Sequence, residues 1–456
     1  MDAKRIARLE RRLVKFLGIF DDVFGRPEPR EHLRTYVLGQ FSNLPRKSIE
    51  PIALEAQTPP RTLQQFLSRA HWDHDMMRTK LQQRVMARQT DSDVGIFDET
   101  SYSKKGNKTP GVKRQHCGAT GKKDNCAVTV HFGYAGAGGF RVLVDGELFL
   151  PEDWSDDRAR CEKAGIPAEM VYRPKWRIAL EMWDRAAGNG LRAPWLTFDE
   201  GYGRIPQFHE ELNQRGQSYV AEVPTNFCGW CKGVDRGVAA SRVDDLVGHS
   251  PVFTAQPWEP YFIKEGDKGP IVWEAKFVAD FHLSDGGEPR GPRGLIVARN
   301  ALDPGEVKYF VSNGPPATPL KELLRVGFSR FAVERCFEDE KSEIGMDHFE
   351  IRNYLSLKRH LTISAVSLMF LAEIHQDDRG EKSRVDGLPG PHGRQRHDRE
   401  SAYDRRGASR LFERSGGKNP SRTDEKRDGQ EESSQSDPTP TSRGWNKAIL
   451  HPAVSA

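Results

Sequence analysis

The sequence predicts an α/β fold in which a mixed β-sheet core carries an N-terminal helical domain, a β-rich insertion and a disordered C-terminal tail. Three observations predict it. Apolar residues recur every three or four positions up to about residue 90, and from about residue 93 short strand-like runs appear, with helical stretches between them. Beyond Gln376 the chain is mostly Gly, Ser, Pro, Arg, Asp and Glu without apolar periodicity, a composition that cannot bury enough surface to offset the cost of ordering the chain.

Composition allows this much structure and narrows the classes open to it. With 456 residues, 36% of them hydrophobic, the chain can fill two or three domains with core. Basic and acidic residues number 69 and 65, a net charge of +4, so a nucleic-acid surface has to come from local segregation of charge. The start, MDAKRIARLERRLVKFL, spaces its apolar residues as an amphipathic helix does and lacks the continuous run of a signal peptide. No stretch approaches the roughly 18 consecutive apolar residues of a membrane span. A cytoplasmic protein without a membrane partner is expected. Six scattered cysteines do not form a disulfide framework. Cys228 and Cys231 make half of a zinc or redox motif, and no second half completes a tetrahedral shell.

The elements follow in chain order. Ile6, Leu9, Leu13, Phe16, Leu17 and Phe20 share one helical face, and Leu33, Val37, Phe41 and Leu44 another. In TPPRTLQQFL, Thr58 is the expected N-cap of a short helix carrying Leu63, Phe66 and Leu67. With Arg46, Lys47, Arg61 and Arg69 around these turns, a helix-turn-helix-like DNA-binding bundle and a plain bundle with solvated charges are equally open. VGIFDET, CAVTVHFGYA and FRVLVDGELFLP read as a three-strand antiparallel meander. A helix at PKWRIALEMWDRAAG, a strand at APWLTFDEGYG, a helix near 205–215 and a strand at SYVAEVP follow. That order is the order of a ribonuclease-H-like α/β core. Strands and turns from about 226 to 316, rich in aromatics such as Trp230 and Trp258, read as an insertion ending in the hairpin GLIVARN to VKYFVSN. Helices are then expected from about Pro319 through Ile344 and from about Leu355 to Ile374.

Two acids stand at strand ends, Asp98 in IFDET and Asp199 in LTFDEGYG, where α/β folds expose side chains for chemistry. Each alone also fits a turn or cap residue. In SRFAVERCFEDEKSEIGMDHFEIR, helical spacing brings Arg330, Glu334 and Lys341 onto one stripe, either as surface ion pairs or as a carboxylate flanked by two cations. Glu338, one turn on, competes with Glu334. Three converging carboxylates suit two divalent ions, Mg²⁺ or Mn²⁺, one activating the attacking oxygen of a phosphodiester reaction and one stabilising the leaving oxygen.

These residues resemble a known family, the DDE transposases of bacterial insertion sequences with a ribonuclease-H-like core and a β-rich insertion. The resemblance spans roughly residues 15–360 and rests on YVLGQFSNLPRKSIEPIA, GIFDETSYSKKGNKTPGVKRQHCGATGKKDNCAV, LFLPEDW, KAGIP, FDEGYG and ERCFEDEKSEIGMDHFEIR. It implies that Asp98 and Asp199 are the first two acids. The family signature of Tyr, two residues, Arg, three residues, Glu, six residues and Lys falls on Arg330, Glu334 and Lys341, which selects Glu334 over Glu338. The Tyr position holds Gly327, with Phe328 beside it. The implied activity is cut-and-paste movement: binding of terminal inverted repeats, hydrolysis of a strand at each end, and attack of the freed 3′-hydroxyl on target DNA. A homodimer on the paired DNA ends is implied as well.

On this reading Asp98 bridges both ions, Asp199 and Glu334 each hold one, and Arg330 and Lys341 contact phosphate. Lys104, Lys105, Lys108, Lys113 and Arg114 form a basic run placed to hold DNA, or else a solvated loop. Trp230 and Trp258 are open between base stacking and core packing. His116, Cys117 and Cys126 are assigned to packing. Residues 1–90 become the DNA-binding domain, 91–227 and 317–375 the two parts of the catalytic core, 228–316 the insertion and 376–456 the tail. Two other outcomes stay open: a metal-dependent nuclease without strand transfer, and an inactive or truncated DNA-binding relic. The abrupt change after Ile374 motivates a frameshifted or truncated reading frame.

Overall fold

The computed structural model describes residues 3–231, 239–266 and 269–386, all within one unit spanning Met1–Glu413. The expected tail from 376 onward lies outside the described residues except for its first part, which is helical.

The N-terminal region is all helix, as its periodicity predicts: α1 (Ala3–Leu17), α2 (Pro27–Phe41), α3 (Ile49–Glu55), α4 (Pro60–Ser68) and α5 (His74–Met86). Leu13, Phe16, Leu17 and Phe20 are buried together with Leu33, Val37 and Phe41, and Leu63, Phe66 and Leu67 close the bundle. The expected cap is off by one residue. Pro59 is the N-cap of α4 and Pro60 its first residue, while the Thr58 hydroxyl donates to the Ala56 carbonyl instead. Two prolines fix the backbone entry so firmly that no side-chain cap is needed.

The sheet begins with β1 (Val94–Ser103), β2 (Lys113–Cys117), β3 (Lys122–Ala135) and β4 (Arg141–Leu148). β3 lies antiparallel to β1 and to β4, which is the expected meander. β2, a short polar strand hairpinned onto the start of β3, was not expected: KRQHC lacks the apolar alternation by which strands are read. After α6 (Glu152–Asp156), α7 (Arg158–Lys163) and α8 (Lys175–Gly188) comes β5 (Trp195–Phe198), then α9 (Glu200–Gly203), α10 (Pro206–Gln214) and β6 (Tyr219–Val223). β5 pairs parallel with both β1 and β6. The core is the ribonuclease-H-like arrangement.

The insertion does not form a separate sheet. β7 (Cys228–Cys231), β8 (Ser241–Arg242), β9 (Glu259–Gly266), β10 (Gly269–Asp285), β11 (Glu288–Asn300) and β12 (Val307–Ser312) continue from β6 through β12, giving twelve strands in one sheet among the described residues. Two short helices, α11 (Val243–His249) and α12 (Pro251–Thr254), cover it with an apolar cluster around Phe227, Phe253 and Phe281. Trp230 is buried in this region. Trp258 is half-buried between the Lys276 ammonium and the Arg299 guanidinium, 4.7 and 4.3 Å from its ring centre. Cys228 and Cys231 are three residues apart on β7 and so face opposite sides of the sheet, which rules out a shared metal or a disulfide between them.

The expected long helix through Ile344 is broken. It comprises α13 (Leu320–Phe328), α14 (Phe331–Asp339) and a π turn, Glu340–Ile344, ended by the left-handed Gly345. The last helix, α15 (Tyr354–Asp386), runs well past the expected end at Ile374. It packs on α2, α4, α5 and β4, so the N-terminal bundle and the sheet share one core. Arg359, buried on α15, donates to the carbonyls of Phe66, Leu67 and Trp72 at 3.3, 3.1 and 2.8 Å and lies 4.5 Å over the Trp72 ring.

Candidate active site

Strand alternation decides which face each acid occupies. Phe97 and Phe132, opposite each other on β1 and β3, stack at 4.7 Å, and Phe132 meets Trp183 of α8. The next positions on the two strands, Asp98 and His131, face the other layer, where the His131 ring meets Phe337 of α14. Asp98 therefore points at the helix that carries Glu334.

The parallel pairing of β1, β5 and β6 ends at one level. Phe97, Phe198 and Ala221 are in register, and the residues that follow them are Asp98, Asp199 and Glu222. Asp199 uses one carboxylate oxygen to cap α9, accepting from the amides of Gly201 and Tyr202 at 3.0 and 3.3 Å. Asp98 accepts from the Glu99 amide at 2.7 Å. Burial, then the Asp199 charge, pushes the Asp98 carboxyl up to about 8, and burial followed by Glu99 raises Asp199. Two like charges held in a partly dry corner call for a cation.

Arg330 supplies one. It lies at the break before α14, with its side chain 12% exposed; Nη1 is 2.8 Å from Glu334 and 3.8 Å from Asp98, and Nε is 3.2 Å from Glu222. Burial acts to lower its pKa, but Glu222, Glu334, Asp98 and Asp199 outweigh this and raise it. Asp98 and Glu334 thus meet on one guanidinium nitrogen, and Glu338 does not join them: it pairs with Arg335 at 2.5 Å on the solvent side.

Lys341 does not extend the stripe expected for it. The π turn inserts a wider loop after α14, so the spacing of a regular helix fails there. Its ammonium reaches along β1 instead, donating to the Thr100 hydroxyl at 2.6 Å, two residues beyond Asp98 on the same face. Burial lowers its pKa. Gly327, at the Tyr position of the signature, has no room for a ring: a Cβ there would lie 3.1 Å from Phe310 and 3.3 Å from Val220. The aromatic contact moves to Phe328, packed 4.8 Å from Trp273.

The basic run divides. Lys104 donates to the carbonyls of Asp347 and Phe349 at 2.9 and 2.7 Å, sits 3.4 Å over the Phe349 ring, and is pushed down to about 8 by burial, so it fastens β1 to the segment after the π turn. Lys105, Lys108, Lys113 and Arg114 are exposed, with Lys113 3.0 Å from Asp153. Lys122 and Lys123, across the β2–β3 hairpin, join this surface. Cys117 and Cys126 are buried together behind it, as packing residues. Sequence reading missed Glu222 and Tyr202. A glutamate in YVAEVP reads as an ordinary polar strand position, and only its register beside Asp199 marks it. Tyr202, wholly buried beneath the acids, has its pKa raised far above the usual value by burial, then by Glu99, Asp98 and Asp199.

Among the described residues no three His, Cys, Asp or Glu side chains are gathered closely enough to hold a metal ion. The donor set nevertheless fits a hard divalent cation. It is all carboxylate, two members with raised pKa values follow the last paired residues of neighbouring parallel strands, and Glu334, its side chain 49% exposed, has room to turn.

A mixed sheet with acids where the pairing of adjacent parallel strands ends, and an Arg-Glu pair on the covering helix, defines a class, and the comparisons agree with it. Residues 19–260 match the family described as DDE superfamily endonuclease, and the chain belongs to that family. The matched span contains Asp98 and Asp199 and stops before Glu334. The chain is also 29% identical over 323 residues to the probable transposase for insertion sequence element IS701 of Microchaete diplosiphon, covering 70% of this chain and 76% of the relative. Among the described residues no helix is long and apolar enough to cross a membrane.

Proposed function

We propose that the chain is a transposase that binds the terminal inverted repeats of its element, cuts a strand at each end and joins the freed 3′-hydroxyl to target DNA. The observation that supports this reading is that Asp98 and Asp199 follow the last paired residues of neighbouring parallel strands, and that Arg330 joins Asp98 to Glu334 at that level. Asp98, Asp199 and Glu334 would hold two Mg²⁺ or Mn²⁺ ions, which supply activation of the attacking oxygen and stabilisation of the leaving one. Burial of Asp98 keeps bulk water from one side of the site. Arg330 is the cation that keeps the acids assembled, and its Nη1 is the group that turns to the phosphate. Lys341, fixed on Thr100, places a second positive charge along the same face. Lys105, Lys108, Lys113 and Arg114 offer exposed charge for the DNA backbone. Residues 1–90 act as the end-binding domain, 91–227 and 317–375 as the catalytic core, and two copies act on paired ends in the cytoplasm.

The test uses purified chain, Mg²⁺ or Mn²⁺, and labelled duplexes carrying the ends of the encoding element. Asp98→Asn, Asp199→Asn and Glu334→Gln are each expected to abolish cutting while end binding persists. Retained cutting by any one removes that residue from the triad. Cut but never joined products would reduce the activity to that of a nuclease, and binding without cutting would make the chain a relic.

A further inference from the structure

Glu222 has no role in the reading above, yet it is the third acid at the strand-end level. Its side chain is 15% exposed and both oxygens are engaged: Oε2 receives Arg330 Nε at 3.2 Å, and Oε1 receives the Lys308 ammonium at 2.5 Å. Lys308 stands on β12, next to β6 in the sheet, so two strands fix the carboxylate from both sides. Its backbone is fixed as well, because the Glu222 carbonyl lies directly against Gly203 at the end of α9. Arg330 is held differently at its two ends. Nε meets Glu222 on the rigid sheet, whereas Nη1 meets Asp98 and the half-exposed Glu334. A guanidinium is a rigid planar fork, so an anchor at Nε fixes the direction in which its Nη groups point.

We propose that Glu222 is a positioning residue for the cleavage reaction: it anchors Arg330 by Nε so that the Nη groups are aimed at the scissile phosphate. The inference rests on the transposase reading. Glu222 touches neither DNA nor metal in this role. It acts through Arg330, and a guanidinium displaced by an ångström from its phosphate lowers the rate by roughly 10²-fold.

The test compares Glu222→Gln, Glu222→Asp, Arg330→Ala and the double variant Glu222→Gln/Arg330→Ala in the full chain. Its readouts are single-turnover end cleavage, end binding, Mn²⁺ binding to the DNA-free protein by calorimetry, and thermal unfolding. Glu222→Gln is expected to slow cleavage by roughly 10²-fold, with end binding and Mn²⁺ affinity unchanged. The double variant should cleave no more slowly than Arg330→Ala, and Glu222→Asp, which keeps the charge, should recover part of the rate. Multiplied losses in the double variant overturn the proposal, as does wild-type cleavage by Glu222→Gln. A fall in Mn²⁺ affinity equal to that of Asp98→Asn would overturn it too, by making Glu222 a ligand. If Glu222→Gln does not fold, Glu222→Asp and its double variant with Arg330→Ala carry the same comparison. Asp98→Asn in parallel separates the two levels: if it cleaves like wild type, the transposase reading fails, whatever Glu222 does.

Discussion

A single methyl group added at Gly203 tests the geometry of the whole site. Gly203 ends α9, the short helix that Asp199 caps, and a Cβ there would lie 1.9 Å from the Glu222 carbonyl oxygen and 3.0 Å from its carbon. Both neighbours are backbone, and comfortable carbon contacts begin near roughly 3.5 Å. Gly203→Ala therefore cannot be absorbed by a side-chain rotation. α9 and β6 must separate by more than an ångström, carrying Asp199 away from Glu222 and from the Arg330 it anchors. Overpacking of this kind costs about 1–3 kcal/mol, and a displacement of that size between reacting groups costs roughly 10²-fold in rate. Gly248→Ala is the control: it has nothing within 4 Å and lies in helix α11. Single-turnover cleavage of end duplexes and thermal unfolding of both variants measure the two effects. Wild-type rate and stability in Gly203→Ala would refute the close approach of α9 to β6, and with it the argument that the strand-end acids are rigidly spaced.

Other expected outcomes rest on separate parts of the molecule. Arg359→Ala removes the donor to the Phe66 and Leu67 carbonyls of α4 and to the Trp72 carbonyl beyond it, and should cost about 3 kcal/mol; amide exchange in α4 measures this, and unchanged protection there would count against this anchoring by α15. Replacing Lys105, Lys108 and Arg114 with Ala should flatten the salt dependence of DNA binding by up to about 0.9 in log–log slope for each lost phosphate contact; an unchanged slope removes the hairpin from the DNA surface. His360 is wholly buried, with Nδ1 2.9 Å from the Tyr36 hydroxyl and Nε2 2.8 Å from the Met346 carbonyl, and burial pushes it down to about 4. The unfolded chain then binds the proton first, so stability present above about pH 6.5 is lost as the pH falls towards about 4, by about 3 kcal/mol for one such histidine. His209, also pushed down to about 4 by burial, adds with the same sign. Urea unfolding midpoints that hold steady through this window would contradict the buried, neutral state of these rings.

The sequence made some features legible because local pattern and tertiary placement coincide. IFDET and LTFDEGYG each show an apolar run followed by an acid; β5 does end just before Asp199, whereas β1 runs on to Ser103 and only its parallel pairing with β5 ends before Asp98. Arg330 and Glu334 are one helical turn apart and do meet. Where local pattern and tertiary context diverge, reading failed. Lys341 falls in the π turn that ends α14, so regular helical spacing does not describe its placement, although its ammonium still reaches the β1 face that carries Asp98. The break between Phe328 and Phe331 carries no local signal, because Gly327 and Ser329 are compatible with continued helix. Glu222 could not be seen at all without the register of β6 against β5. Continuity of the insertion with the core sheet depends on β12 choosing β6, a pairing between distant segments that no local signal encodes.

The grip of Arg359 on the end of α4 also sets a timetable for making the protein. Phe66 and Arg359 are 293 positions apart, an interval that takes a ribosome roughly 15 to 60 s to translate. Throughout that interval the first helices have left the tunnel without the segment that completes their interior, exposing Leu63, Phe66 and Leu67 to chaperones and proteases. A chain that stops early is therefore born with its front end unfinished, whatever the integrity of the acids in its middle.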